Sequence, residues 1–195
     1  MKFYTLLLNL LLLLTFPISA QTNVLIAYHS ESGNTERMAE AVAEGARSIE
    51  GVNVMLLPVN QTQESDLLQA DAIIVGSPVH NANVSTEIQQ FFTSWPFENE
   101  PLKNKIGAVF VTGGGISAGE EIVQMNMIQS MLVFGMIIVG GPDWTQPFGA
   151  SAITGEDPFQ VNSSNELSEQ FLEKGNLLGH RVAQIASAIK WTEKN

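Results

Sequence analysis

Residues 23–46 read NVLIAYHSESGNTERMAEAVAEGA. The stretch opens on a short apolar run ending at Tyr28, the pattern of a strand buried on both faces. It then passes through Ser30, Glu31, Ser32, Gly33, Asn34 and Thr35. Met38, Ala39, Val42, Ala46 and Ile49 follow at helical spacing, predicting a helix over 35–48. The loop carries hydroxyls at Ser30, Ser32 and Thr35, beside a glycine that permits a tight turn. A helix N-terminus adds unpaired backbone N–H groups and a positive dipole end, so a loop of this kind suits a phosphate. It contains no lysine or arginine, which argues against the P-loop of nucleotide hydrolysis and its Gly-Lys-Ser/Thr ending. Neutral donors suit a phosphate that is bound and kept. An ordinary helix cap needs only one polar residue, Ser32 or Asn34.

Outward from this unit, residues 52–59, 72–75, 106–111 and 136–139 read as four further strands. Helices are predicted over 84–95, with Ile88, Phe91 and Phe92 on one face, over the methionine-rich 120–134, and over 166–189, loosened near Gly175. Five short apolar strands separated by helices imply an α/β fold, a parallel sheet covered on both faces. Residues 143–164 form the longest irregular segment, and long loops in compact domains are often functional.

Ligands of such sheets bind outside the carboxyl ends of the strands. Two more segments leave those ends. Pro78, Val79, His80, Asn81, Ala82 and Asn83 offer small and polar groups to the edge of a planar ring. There His80 would hold a proton or donate a hydrogen bond near neutral pH, or be a solvated loop histidine. Thr112, Gly113, Gly114, Gly115, Ile116 and Ser117 would let a ligand approach the backbone closely, or simply end the strand.

The chain has 195 residues, 45% hydrophobic, enough for one domain with a core. Without cysteine there is no disulfide scaffold, zinc finger, iron–sulfur site or cysteine nucleophile. No metal site is predicted. Nine basic against 20 acidic residues give a net charge of −11, which excludes general nucleic-acid binding. At the start, Lys2 precedes an apolar run over 6–16, then Pro17 and Ile18-Ser19-Ala20 before Gln21. This is the pattern of a signal peptide over 1–20, too short for a membrane span of about 20 apolar residues. A single exported domain, 21–195, is expected in a bacterial periplasm, with no membrane span after cleavage. It would carry 8 basic and 20 acidic residues, a net charge of −12. The leader has no twin arginine, so the chain would cross unfolded and take up any cofactor outside.

Residues 28–46 resemble the FMN-phosphate motif of flavodoxins at Tyr28, Ser30, Gly33, Thr35, Ala39 and Val42, departing at Ala27, where a larger residue is usual. ADAIIVGSPVHNANVSTEIQQFF (70–92), GAVFVTGGGISAGEE (107–121), FGMIIVGGP (134–142) and FGASAITGEDPF (148–159) resemble, in the same order, the tryptophan-repressor-binding-protein-type NAD(P)H:quinone oxidoreductases. The resemblance implies a flavodoxin-like three-layer sandwich, its five-stranded parallel sheet in order 2-1-3-4-5, with non-covalent FMN. Residues 30–35 would hold the phosphate, and residues 78–83 and 112–117 the isoalloxazine and ribityl chain. Trp95 would be the family's tryptophan near the flavin, or a core residue ending a helix. His80 stands where the family has arginine, Asn81 where it has an aromatic, and Phe134 at or beside a histidine position. The family's excursion after strand five, which helps shape the oligomer, is shortened, leaving a homodimer or homotetramer open. The activity implied is hydride transfer from NAD(P)H through FMN to a quinone, with His80 protonating the product. The alternative is a periplasmic flavodoxin-type carrier serving a redox partner protein, since free NAD(P)H is not expected outside the cytoplasm.

Overall fold

Val24 and Ile26 of strand β1 (Thr22–Tyr28) face one side of the sheet, Leu25 and Ala27 the other, and all four are fully buried. A central strand must be apolar on both faces for this to happen, which is what the unbroken apolar run encodes. The computed structural model describes residues 21–192. The predicted signal peptide lies outside the described residues.

Parallel strands β2 (Val52–Pro58) and β3 (Ala72–His80) flank β1, with Val24 aligned to Val54 and Ala72. A two-residue strand, β4 (Asn83–Val84), follows β3 in the chain. On its far side β3 carries β5 (Ile106–Gly113), Ala72 opposite Ile106, and β5 is followed by β6 (Ile137–Ile138). The path runs β2-β1-β3-β5-β6, the expected 2-1-3-4-5 order with β5 and β6 in the last two places. Helices α1 (Asn34–Arg47) and α5 (Glu169–Thr192) cover one face, where Met38, Val42, Leu178 and Val182 pack on Ile26, Ile74 and Phe110. Helices α2 (Glu64–Gln69), α3 (Thr86–Thr93) and α4 (Glu120–Val133) cover the other, bringing Ile88, Val123, Met127 and Met131 onto Leu25, Ile73 and Val109. Each large apolar side chain buried this way contributes about 1.5–3 kcal/mol. The α1–α5 seam is very close. A Cβ on Gly45 would lie 1.8 Å from the Asn176 carbonyl oxygen, and one on Gly179 would lie 1.9 Å from that of Val42. Gly175 meets Met38 and Ala41 in the same seam, and α5 runs through it unbroken instead of loosening there.

Other boundaries move for local reasons. β3 does not stop at residue 75. Gly76 reads as a turn signal but is a packing requirement, since a Cβ there would meet the Phe110 ring at 2.0 Å. Pro78, aligned with Thr112, lies near the strand end, where a missing N–H costs little. The strand then folds back on β4, which pairs antiparallel with Val79 and His80. The two-residue turn puts Asn81 and Ala82 at φ 51° and 60°, as a type I′ hairpin demands. Ser85 then starts α3, its Oγ accepting from the Ile88 N–H at 3.4 Å.

The fifth strand position is split. β6 pairs only with Ile106 and Gly107, and β7 (Ala150–Ile153) takes over beside Phe110 to Gly113. Between them residues 139–149 leave the sheet and return. Arg181 donates to the Gly141 carbonyl at 2.7 Å and Lys174 to that of Thr145 at 3.3 Å, tying this excursion to α5. The segment expected to be irregular over 143–164 therefore contains a strand.

Candidate functional site

The carboxyl ends of β1, β3 and β5 open onto the three predicted loops, and the structure brings all three together. Thr35, on the first turn of α1, is buried, and its Oγ1 lies 2.7 Å from Oγ1 of Thr112 at the end of β5. One hydroxyl hydrogen closes this pair and the other remains to donate. Gly33 caps α1 at φ 86° with no side-chain cap, so neither Ser32 nor Asn34 plays the ordinary capping role. The N–H groups of the first helical turn have no intrahelical partner and point out of the N-terminus. Ser30 Oγ accepts the Gly33 N–H at 3.1 Å and closes the turn that presents them. Tyr28 donates to Glu36 Oε1 at 2.8 Å, tying the one carboxylate of that turn to β1. Burial, then this hydrogen bond and the charges of Glu36 and Glu40, push the Tyr28 phenol up.

The glycine loop forms the facing wall. A Cβ on Gly114 would meet nothing within 4 Å, whereas Gly113 backs onto Glu120 and Gly115 onto Glu156. Space on the open side of Gly114 is what a planar ligand lying on the backbone requires. Residues 154–166 strap the two walls together. Glu156 Oε2 accepts the Ile116 N–H at 2.7 Å, the Gly155 N–H donates to the Gly114 carbonyl at 2.8 Å, and Ser164 Oγ would lie 3.0 Å from a Cβ on Gly33. Pro78, Val79 and His80 enter the mouth on the end of β3, not in a loop, with Asn81, Ala82 and Asn83 in the hairpin beyond them.

Titratable groups gather here, and two of them, His29 and Glu87, carry no sequence motif. His29 Nε2 is buried without a hydrogen-bond partner among the described residues, 3.3 Å from Glu87 Oε2 on α3 and 3.7 Å from Glu31 Oε1. His80 Nε2 stands 3.9 Å from the same Glu31 oxygen. Glu31 Oε1 thus faces two histidines, one just past the end of β1 and one at the end of β3. Only folding reveals Glu87, fifty-eight positions away, as a partner of His29. Glu156 and Ser164 were invisible for the same reason.

Trp95 does not reach this mouth. α3 and α4 begin at the mouth and end at the opposite edge of the sheet. There Trp95 is buried against Phe92 at 4.7 Å and Phe134 at 5.2 Å between ring centroids. Within the chain it is the core residue that ends a helix. Among the described residues no group of histidines and carboxylates is placed to hold a metal ion. No helix among them is long and apolar enough to cross a membrane.

The mouth fits a flavin nucleotide. An uncapped helix start with neutral hydroxyls suits the phosphate, and the open Gly114 backbone suits the ring. The buried Asn34 Oδ1 has no hydrogen-bond partner among the described residues, and that amide can turn either polar end toward a ligand.

Comparison with known proteins agrees. The family described as NADPH-dependent FMN reductase matches residues 61–150. A protein named flavodoxin from Aquifex aeolicus is 34% identical over 171 residues, covering 83% of this chain and 85% of its own. One named NAD(P)H dehydrogenase (quinone) from Geotalea uraniireducens is 31% identical over 204 residues, covering 85% and 98%. The crystal structure of a flavodoxin, WrbA-like protein from Agrobacterium tumefaciens superposes with a TM-score of 0.72 at 25% identity, covering 86% of this chain and 99% of that one.

Proposed function

The chain belongs to the flavodoxin-like family that includes the WrbA-type NAD(P)H dehydrogenases (quinone), and on that premise we propose that it is an exported FMN-dependent oxidoreductase passing electrons from NAD(P)H to a quinone. The observation that carries the reading is the joined cradle of Gly33, Thr35 and Thr112, built from neutral donors around an uncapped helix start.

FMN, when bound, supplies the hydride and electron chemistry. The chain's residues do the rest. The first-turn N–H groups of α1 and the Thr35–Thr112 hydroxyl pair bind the phosphate. Gly113, Gly114 and Gly115 give the ring a flat backbone wall, and Glu156 keeps that wall in place through the Ile116 N–H. His80, with Nε2 facing Glu31, holds a proton at the rim for a reduced quinone. Glu31, Glu87 and Glu156 make the rim acidic, which favours approach of neutral quinones and basic proteins over anions.

Export rests on the leader pattern of residues 1–20. It motivates the second reading, a flavodoxin-type electron carrier, supported by the Aquifex flavodoxin relative and by the net charge of −11, which suits a basic redox partner.

The test uses residues 21–195 purified with FMN, followed by their visible spectrum and NADH oxidation with a soluble benzoquinone. Retained flavin with quinone-dependent NADH turnover is expected. Retained flavin without turnover would favour the carrier, and a folded protein retaining no flavin would overturn both readings. Cell fractionation of the full chain tests export, with the protein expected outside the cytoplasm.

A further inference from the structure

At the edge of the sheet opposite the mouth lies a cavity of about 210 Å³. Lys103 and Lys105, from the segment entering β5, and Lys190, from the end of α5, all line it. They are three of only nine basic residues in a chain of net charge −11.

The backbone is bent to bring them there. Asn99, Glu100 and Asn104 sit at φ 64°, 50° and 65°, three left-handed residues within one short connection. Such conformations cost energy and persist where the surroundings enforce them. The Asn104 N–H donates to the Gly135 carbonyl at 2.9 Å, fixing the bend, and Lys103 and Lys105 flank it.

The charge balance is uneven. Lys103 pairs with Glu100 at 2.6 Å on the outside, and Lys190 pairs with Asp71. Among the described residues Lys105 has no carboxylate at ion-pair distance, and its ammonium donates to the backbone carbonyls of Leu68 and Ala70. Lys190 donates to Asp71 and to the Gln21 carbonyl. An ammonium has three donors, and among the described residues Lys105 and Lys190 each use two. Burial lowers the pKa of Lys105, the charge of Asp71 opposes this, and the nearby charge of Lys190 lowers it further. Among the described residues the three ammoniums meet two carboxylates, Glu100 and Asp71, which leaves one positive charge for a ligand to balance. Beside the cations the half-buried Pro101 and Ile189 give the cavity an apolar side that a bare inorganic ion would leave uncovered, with the buried Ile106 and Ala186 behind them and Asp71 at the Lys190 end.

We propose that this cavity is a second ligand site, taking a small organic carboxylate with its head on Lys105 and Lys190 and its apolar body along Pro101 and Ile189. The site shares no residue with the mouth, so it stands or falls independently of the flavin reading.

The experiment is calorimetric and NMR titration of residues 21–195 with benzoate, in saturating FMN so that the flavin mouth is filled. Benzyl alcohol serves as the neutral control and inorganic phosphate as the bare anion. Saturable benzoate binding is expected, with shifts confined to residues around 71, 101–106 and 186–190. It should weaken about tenfold or more in Lys190→Met and in Lys105→Met, the loss of one charge-assisted hydrogen bond. Should Lys105→Met fail to fold, Lys190→Met decides alone, with Lys103→Met on the exposed rim as a milder companion. Absence of saturable benzoate binding, equal binding of benzyl alcohol or of phosphate, or full affinity in Lys190→Met would each overturn the proposal.

Discussion

At the carboxyl edge of the sheet, three loops without a single lysine or arginine meet around the Thr35–Thr112 hydroxyl pair. At the amino edge, Lys103, Lys105 and Lys190 gather around a cavity. On the two sites proposed above, one sheet offers two ways to hold an anion. The mouth uses helix N–H groups and hydroxyls, which need no counter-charge and leave the field around a redox ring to be set by carboxylates. A lysine placed there would favour the negatively charged reduced ring and raise its potential. The amino edge uses ammonium groups, which are strong but screened by salt and costly to bury. The difference teaches that absence of basic residues from the mouth is a property of the site and not a missing feature.

The most severe break in this contrast is Gly33→Val. Gly33 sits at φ 86°, and a Cβ added there would lie 3.0 Å from Ser164 Oγ, so valine is strained both locally and by contact. FMN affinity measured by fluorescence quenching should fall by more than about 100-fold, strain of a few kcal/mol being lost directly from the cradle. Thr35→Val keeps the volume and removes one hydroxyl, and should weaken FMN by about 10–100-fold, as expected for a hydrogen bond to a charged group. An unchanged affinity there would mean that the Thr35–Thr112 pair is structural only.

Salt sharpens the contrast directly. Between low and high sodium chloride, FMN affinity at the mouth should hold or tighten, because screening relieves repulsion from the acidic surface. Carboxylate binding at the amino edge should weaken several-fold over the same range. Parallel weakening of both would show that cations also act at the mouth. A smaller effect belongs to the strap. Glu156→Gln exchanges a charged acceptor for a neutral one at the Ile116 N–H, and stopped-flow release of FMN should speed up about two- to fivefold. Smallest is an alkaline effect on stability. The Tyr28 pKa is raised above its unfolded value, so its contribution is fully present below pH 10 and is lost as pH rises beyond it. Tyr28→Phe should flatten that loss in denaturant titrations above pH 10, leaving the slope near neutral pH unchanged.

The fold was legible because β1 and its neighbours are buried on both faces. Runs such as Val24 to Ala27 and Ile73 to Val75 carry that fact in their composition. Legibility failed where one residue served a distant partner. Gly76 and Pro78 look like the end of a strand, yet Gly76 is dictated by the Phe110 ring across the sheet. The Ala150–Ile153 strand is four residues of weak propensity, and its place is set by the open edge of β5 beyond Ile138. α2 is only six residues long, closed by a capping box between Gln63 and Asp66 that does not depend on an apolar stripe. For the site, residues 30–35 could be read as a phosphate candidate because their hydroxyls and glycine are local to one loop. The His29–Glu87 approach, the Glu156 strap and the lysine cavity join residues far apart in sequence, and no local pattern announces them.

That the mouth holds a phosphate with neutral donors is the central claim. The most direct test is to titrate residues 21–195 with FMN and, separately, with riboflavin, which has the same ring and ribityl chain but no phosphate. FMN should bind at least about 100-fold more tightly, and Thr35→Val should narrow the gap by acting on FMN alone. Equal affinity for the two flavins, or a loss in Thr35→Val that falls equally on both, would contradict it.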